Sequence, residues 1–127
     1  MKKLLVVDDE AEICEFLKSF FEDKQYEVKT ALSGDEAMMT VKSFEPHIVL
    51  LDVQMPGTDG LQTLKWIKNR HPEIKVIMVT AIETQEKIEK ALHYGADNYI
   101  TKPLSLEYLE KDVQEKISHL SRRTPAS

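Results

Sequence analysis

A few polar side chains, each placed where a short apolar run ends, are the residues of this sequence that could do chemistry. The acidic pair Asp8-Asp9 follows one run, Asp52 ends a second, Thr80 ends a third, and Lys102 follows a fourth. Carboxylates are hard oxygen ligands of the kind that Mg²⁺ prefers, together with water and phosphate oxygens. The lysine would add a positive charge and the threonine a hydroxyl donor. This chemistry is available only if the fold brings the five side chains together.

The segments between these residues alternate between two kinds of apolar pattern. Short apolar runs predict buried strands at residues 4–7, 47–52, 74–80 and 98–100, and a weak alternation of apolar and polar residues predicts a strand at the sheet edge at 26–30. Helical spacing predicts helices around residues 13–21, 34–44, 60–69, 84–94 and 104–120. The buried face of the first helix would carry Ile13, Phe16, Leu17, Phe20 and Phe21, and the cluster PGTDG at 56–60 predicts a turn before the third helix. Strands that alternate with helices predict a single doubly wound α/β domain, with a mostly parallel sheet and helices on both faces.

In open α/β sheets, ligands bind outside the carboxyl ends of the strands. A single aspartate at such a position is more often a loop residue or a helix cap. Three carboxylates in one crevice, however, repel one another unless a cation lies between them. The set of Asp8, Asp9 and Asp52 therefore predicts a Mg²⁺ site at this edge of the sheet, with Thr80 and Lys102 beside it.

Four short segments occur in a recognisable order: LVVDDE at 5–10, LLDVQMPGTDG at 50–60, VTA at 79–81 and GADNYITKP at 95–103. Together they resemble the receiver domain of two-component response regulators, including the single-domain chemotaxis type, from about residue 3 to residue 120. The resemblance implies a (βα)5 flavodoxin-like domain whose parallel five-stranded sheet has the order 2-1-3-4-5. The domain would span residues 1–120, and 121–127 would be a polar tail or the start of a linker.

The resemblance also implies a phosphorylation site. Asp52 would accept a phosphoryl group from a histidine kinase or a histidine phosphotransfer protein. Asp9 would bind Mg²⁺ directly and Asp8 through water, while a carboxylate oxygen of Asp52 and the backbone carbonyl of Gln54 would complete the protein ligands. The chain would then be a signalling receiver that catalyses its own phosphorylation and slow dephosphorylation, and not a multi-turnover enzyme.

Three further positions correspond to functional residues of that family, and two of them, Thr80 and Tyr99, correspond to its switch residues. Thr80 would bond a phosphoryl oxygen and Lys102 would pair with another, aimed by a cis Lys102-Pro103 peptide. Tyr99 would fill the space that Thr80 leaves when it moves inward. The rearranged surface, formed by the fourth helix, fifth strand and fifth helix, would control an output domain or target protein and could support a phosphorylation-dependent homodimer.

The lifetime of the phosphoryl group would depend on two neighbouring positions. In receivers, the residues two beyond the acceptor and two beyond the threonine shape the access of hydrolytic water. Here they are Gln54 and Ile82. We expect the bulky apolar Ile82 to slow dephosphorylation.

Three other functions compete with this interpretation. An aspartyl-phosphate phosphatase or phosphotransferase of the haloacid-dehalogenase type would need a second Asp two residues after the nucleophile, where Gln54 stands. A phosphorylation-independent interaction module on a receiver fold is disfavoured because all five functional positions are filled. A nucleotide-binding domain is disfavoured because neither G-x-G-x-x-G nor a Walker loop occurs.

The length, net charge and composition of the chain argue against several other kinds of protein. A chain of 127 residues suits one domain, and a formal net charge of −5 argues against direct nucleic-acid binding. Cys14 stands alone at helical spacing with apolar residues, which indicates a core thiol. No apolar stretch is long enough for a membrane span or signal peptide, so we expect no membrane partner and a cytoplasmic location.

Overall fold

The computed structural model describes residues 1–55, 58–80 and 85–122 of the chain. Five strands form one sheet: β1 (Lys2–Val7), β2 (Tyr26–Ala31), β3 (Ile48–Asp52), β4 (Lys75–Thr80) and β5 (Asn98–Thr101). Four helices alternate with them: α1 (Ala11–Asp23), α2 (Gly34–Phe44), α3 (Gly60–Arg70) and α4 (Gln85–His93). The last helix, α5, runs from Leu106 to Arg122 and contains a π-helical turn at Leu109–Val113.

The sheet has the order β2-β1-β3-β4-β5, and every neighbouring pair is parallel. The predicted doubly wound fold and its strand order are therefore confirmed. β1 pairs with β2 on one side and with β3 on the other, so the order of the strands reverses beside β1. A crevice opens at such a reversal, outside the carboxyl ends of the strands.

The continuous apolar runs of β1 and β3 are buried on both faces of the sheet. Leu4 and Leu50 pack on one side with residues of α1 and α5, while Leu5 and Leu51 pack on the other with residues of α2, α3 and α4. Burying one such side chain contributes about 1.5–3 kcal/mol to folding. The alternation of side chains along each strand thus holds helices on both faces.

Serine side chains cap the N-termini of two helices. The Ser33 hydroxyl accepts a hydrogen bond from the Glu36 backbone N–H at 3.1 Å, which caps the start of α2. Ser105 caps α5 in the same way, accepting from the Tyr108 N–H at 3.2 Å. Because this cap fixes the first turn, α5 begins at Leu106 and not at residue 104.

Two details differ from the sequence-based expectations. Phe16 was placed on the buried face of α1, but it is 43% exposed, because the helix turns Cys14, Leu17 and Phe21 toward the sheet instead. The segment after β3 contains a two-residue antiparallel pair, Gln54–Met55 with Thr58–Asp59, where only a turn was predicted.

The predicted start of α4 at residue 84 and residues 123–127 of the predicted tail lie outside the described residues. Across the described ranges, no helix combines the length and the apolar character that crossing a bilayer requires.

Candidate functional site

Three carboxylates meet at the strand-order reversal. Asp8 directly follows β1, Asp9 comes next, and Asp52 is the last residue of β3. Because Val7 and Leu51 are register partners in adjacent parallel strands, the residues after them come side by side. One carboxylate oxygen from each aspartate lies within 4.8 Å of the others. Asp8 and Asp52 are only 3% exposed, whereas Asp9 faces solvent.

Lys102 brings a positive charge to this group from the end of β5. Its Nζ lies 3.2 Å from Oδ2 of Asp8 and 3.2 Å from Oδ2 of Asp52. Burial alone would lower the pKa of Lys102, but the neighbouring charges of Asp52 and Asp8 outweigh it, and the net shift is upward. The lysine is therefore held in its charged form. The peptide bond between Lys102 and Pro103 is cis, the geometry that the family resemblance implies.

Backbone hydrogen bonds fix the segments that carry these side chains. The Lys102 N–H donates to the Thr80 carbonyl at 2.8 Å, and the Asp8 N–H donates to the Ala31 carbonyl at 3.1 Å. The Asp8 carboxylate is oriented as well, because its Oδ1 accepts from the Glu10 N–H at 2.9 Å while its Oδ2 faces the lysine. The positions of the charges are therefore set by the backbone.

Three of the remaining sequence-predicted residues, Thr80, Tyr99 and Gln54, belong to the described part of the chain. Thr80 ends β4 and is 6% exposed. Tyr99 lies in β5 and is partly buried; the Lys116 ammonium donates to its carbonyl at 3.3 Å and lies 6.0 Å from the centre of its ring. The backbone of Gln54 belongs to the short strand just after Asp52. Ile82 lies outside the described residues.

Two residues support the site although the sequence analysis gave them no such role. The buried Cys14 thiol donates to the Asp8 carbonyl at 3.3 Å and so stabilises the backbone that carries Asp8 and Asp9. Gly60 packs so closely that a Cβ atom there would lie 2.6 Å from the carbonyl oxygens of Asp52 and Val53. The sequence marked Gly60 only as part of a turn cluster, because close approach of two backbones leaves no local signal.

The charges and ligand types of this pocket fit Mg²⁺. Three carboxylates face one ammonium, and two of the carboxylates are almost completely buried, so the pocket retains unbalanced negative charge. All of the clustered donors are hard oxygens, as Mg²⁺ requires. Asp8, Asp9 and Asp52 are the side chains that would hold the ion.

Comparisons with known proteins identify relatives of the whole chain. The model of the response regulator receiver domain matches residues 4–114. The transcriptional regulatory protein ZraR of Salmonella typhimurium is 36% identical over 123 residues, which make up 97% of this chain and 28% of that protein. The chain thus spans little more than a quarter of the curated relatives that it matches.

Solved structures agree with this result. A CheY-like response regulator receiver domain protein from Methanospirillum hungatei is 30% identical with a TM-score of 0.86, and the match covers 95% of this chain and 97% of that one. The response regulator TrrA from Thermotoga maritima is 34% identical with a TM-score of 0.82, covering 94% and 99% of the two chains. TrrA was crystallised in complex with Mg²⁺ and BeF.

Proposed function

The chain belongs to the response regulator receiver domain family of two-component signalling systems, and we propose that it is phosphorylated on Asp52 with Mg²⁺ bound beside the acceptor. The observation that carries the proposal is the contact of Lys102 with the Asp52 carboxylate inside a cluster of three aspartates. As a receiver, the chain is a signalling module and not a metabolic enzyme. Mg²⁺ is proposed from the acidic cluster and from its presence in the TrrA complex.

Asp52 would act as the nucleophile. One of its carboxylate oxygens attacks the phosphorus of a phosphohistidine, the P–N bond breaks, and the imidazole leaves with the bonding electrons and takes up a proton. The product is an acyl phosphate on Asp52. The bound Mg²⁺ would neutralise negative charge on the phosphoryl oxygens. Lys102 already contacts Asp52 and would offset the remaining repulsion between the carboxylate and the incoming group.

The phosphoryl donor would be a protein, either a histidine kinase or a histidine phosphotransfer protein. A groove of about 460 Å³ opens beside the site; Ile13, Phe16, Pro103 and Leu104 form its apolar lining, and the charged residues Glu10 and Lys102 complete it. Phe16 is 43% exposed, which is unusual for so large an apolar side chain. An apolar surface next to the acceptor suits a helix that presents a histidine, as in helix-in-groove recognition.

The signal would leave through the surface formed by α4, β5 and α5. A phosphoryl group adds charge and hydrogen-bond demand near Thr80, and Tyr99 lies in the neighbouring strand β5. We propose that movement of Thr80 changes the position of Tyr99 and so reshapes this surface for an output domain, a target protein or a second copy of the chain. Because ZraR is much longer than this chain, an output domain in the same polypeptide is one such target.

The lifetime of the phosphoryl group would be set by Gln54 and Ile82. Replacing Ile82 with Glu introduces a carboxylate that can orient water, so Ile82→Glu should speed dephosphorylation. An unchanged hydrolysis rate of the purified acyl phosphate would exclude this role.

The proposal is tested by incubation with acetyl phosphate, with and without Mg²⁺, followed by intact-mass spectrometry. The wild-type chain should gain the mass of one phosphoryl group only with Mg²⁺, and Asp52→Asn should gain none. Asp23→Asn is the matched control, because Asp23 is an exposed aspartate at the end of α1. An equal mass gain in Asp52→Asn would place the acceptor elsewhere and refute the proposal.

A further inference from the structure

Tyr108, in the first turn of α5, contacts the strand end that carries Lys102. Its phenol oxygen accepts a hydrogen bond from the Thr101 backbone N–H at 3.2 Å. Thr101 is the last residue of β5 and directly precedes Lys102. On the sheet side of the same strand end, the Lys102 N–H donates to the Thr80 carbonyl at 2.8 Å. Consecutive backbone N–H groups are therefore held from opposite sides, one by β4 and one by α5.

The Tyr108 hydroxyl fills a position that normally faces water. β5 is an edge strand of the sheet, and the outward N–H groups of an edge strand have no strand to pair with. Tyr108 is itself fixed, because its N–H donates to the Ser105 hydroxyl and its ring packs against the core together with Leu104. Helix α5 thus holds the phenol oxygen of Tyr108 in a fixed position as a hydrogen-bond acceptor.

The two residues joined by this hydrogen bond lie close together in the sequence. Only residues 102–107 separate Thr101 from Tyr108, and the Lys102 ammonium at the start of that segment lies 3.2 Å from Oδ2 of both Asp8 and Asp52. The value of a positioned charge depends on its distance from the charge that develops during reaction. Release of the strand end would let the lysine drift away from the acceptor.

We propose that Tyr108 is a positioning residue for phosphoryl transfer: its hydroxyl holds the end of β5 so that Lys102 stays at the carboxylate pair. This inference rests on the proposed function of the site. Tyr108 acts through Lys102, because among the described residues its hydrogen bonds join it to Thr101 and Ser105 and not to the acidic cluster. Its loss should therefore slow the phosphoryl-transfer step without weakening Mg²⁺ binding.

The test compares Tyr108→Phe, which removes only the hydroxyl, with wild type. At saturating Mg²⁺ we expect phosphorylation by acetyl phosphate to slow about three- to tenfold in Tyr108→Phe, and the Kd for Mg²⁺ alone not to rise above the wild-type value. Tyr26→Phe is the matched control, because it removes a phenol hydroxyl at the opposite end of the sheet. An unchanged rate in Tyr108→Phe, or equal losses in both variants, would overturn the inference.

Two further measurements separate positioning from general stability. In a Lys102→Met background, adding Tyr108→Phe should not slow phosphorylation further, whereas an equal slowing would mean that Tyr108 acts independently of the lysine. Amide exchange measured by NMR without any phosphodonor should show faster exchange at Thr101 in Tyr108→Phe. Equal exchange rates would show that the hydrogen bond is absent. Asp52→Asn is run in parallel, because only its continued phosphorylation would refute the proposed function itself.

Discussion

The Nζ atom of Lys102 lies 3.2 Å from Oδ2 of Asp52, and the same nitrogen is equally far from Oδ2 of Asp8. These carboxylates also belong to the cluster that would hold Mg²⁺. The ammonium and the metal ion therefore draw on the same negative charge. Both carboxylates are almost fully buried. Removing the ammonium from between them should therefore strengthen the binding of another cation.

Lys102→Met should consequently bind Mg²⁺ more tightly, by about three- to tenfold, because the competing charge is gone. The same variant should be phosphorylated by acetyl phosphate at least about tenfold more slowly, since the ammonium that offsets the remaining repulsion at Asp52 is then missing. Calorimetric titration with Mg²⁺ and intact-mass kinetics measure the two effects. Lys111→Met serves as the control, because Lys111 pairs with Glu107 on the exposed face of α5. Weaker Mg²⁺ binding by Lys102→Met would contradict the competition.

Gly60→Ala should damage the site through the backbone. The added Cβ would lie 2.6 Å from the carbonyl oxygens of Asp52 and Val53, so the end of β3 must move. Overpacking of this kind costs about 1–3 kcal/mol, and the displaced Asp52 should also be phosphorylated more slowly. Urea unfolding and acetyl phosphate kinetics report the two losses.

Gly95→Ala is the informative control for that substitution. Gly95 has a φ of 102°, so alanine there is strained and should destabilise the protein by about 1–2 kcal/mol. It follows α4 and lies in contact with Lys68, away from the acidic cluster. Its phosphorylation rate should stay at the wild-type level. Equal loss of rate in both glycine variants would show that stability alone controls the rate.

Much of the fold followed from the sequence because the strands are continuous apolar runs that end in polar residues. Asp8 and Asp52 could be assigned to one sheet edge, since parallel neighbouring strands bring their carboxyl ends together. The contact of Tyr108 with Thr101 could not be foreseen, because it depends on the angle at which α5 leaves the sheet. The exposure of Phe16 could not be foreseen for a similar reason. Helical spacing shows which apolar residues share a face of the helix, but not which edge of that face packs against the sheet.

Cys14 should be nearly unreactive in the folded protein. It is 2% exposed, and burial, followed by the charge of Asp8, raises the pKa of its thiol to about 11. Since the thiolate is the reactive form, Ellman's reagent at pH 8 should modify the native chain at least about a hundredfold more slowly than the urea-unfolded chain. Because the fold disfavours the thiolate, the stability that the thiol contributes should be lost as the pH rises from about 9.0 toward 11. Equally rapid modification of native and unfolded chains would mean that the part of the fold that buries Cys14 opens readily.

His47 should make the fold sensitive to mild acid. Its Nδ1 accepts a hydrogen bond from the Lys3 backbone N–H at 3.0 Å, which only the unprotonated nitrogen can do. Burial, followed by the charges of Lys2 and Lys3, lowers the pKa of His47 below its ordinary value of 6.5. The folded state therefore favours the neutral ring. Stability contributed by this group is complete above pH 6.5 and is lost as the pH falls through the lowered value.

His47→Asn is the variant that isolates this effect, because the Asn Oδ1 can accept the Lys3 N–H but does not titrate. Urea midpoints measured between pH 7 and pH 5 should fall more steeply for wild type than for His47→Asn. Other groups also titrate in this range, so the difference between the two slopes is the quantity that reports His47. His119→Asn, which replaces an exposed histidine of α5, is measured beside it as the control for loss of a histidine elsewhere. Parallel slopes for wild type and His47→Asn would show that protonation leaves the pairing of β1 with the start of β3 intact.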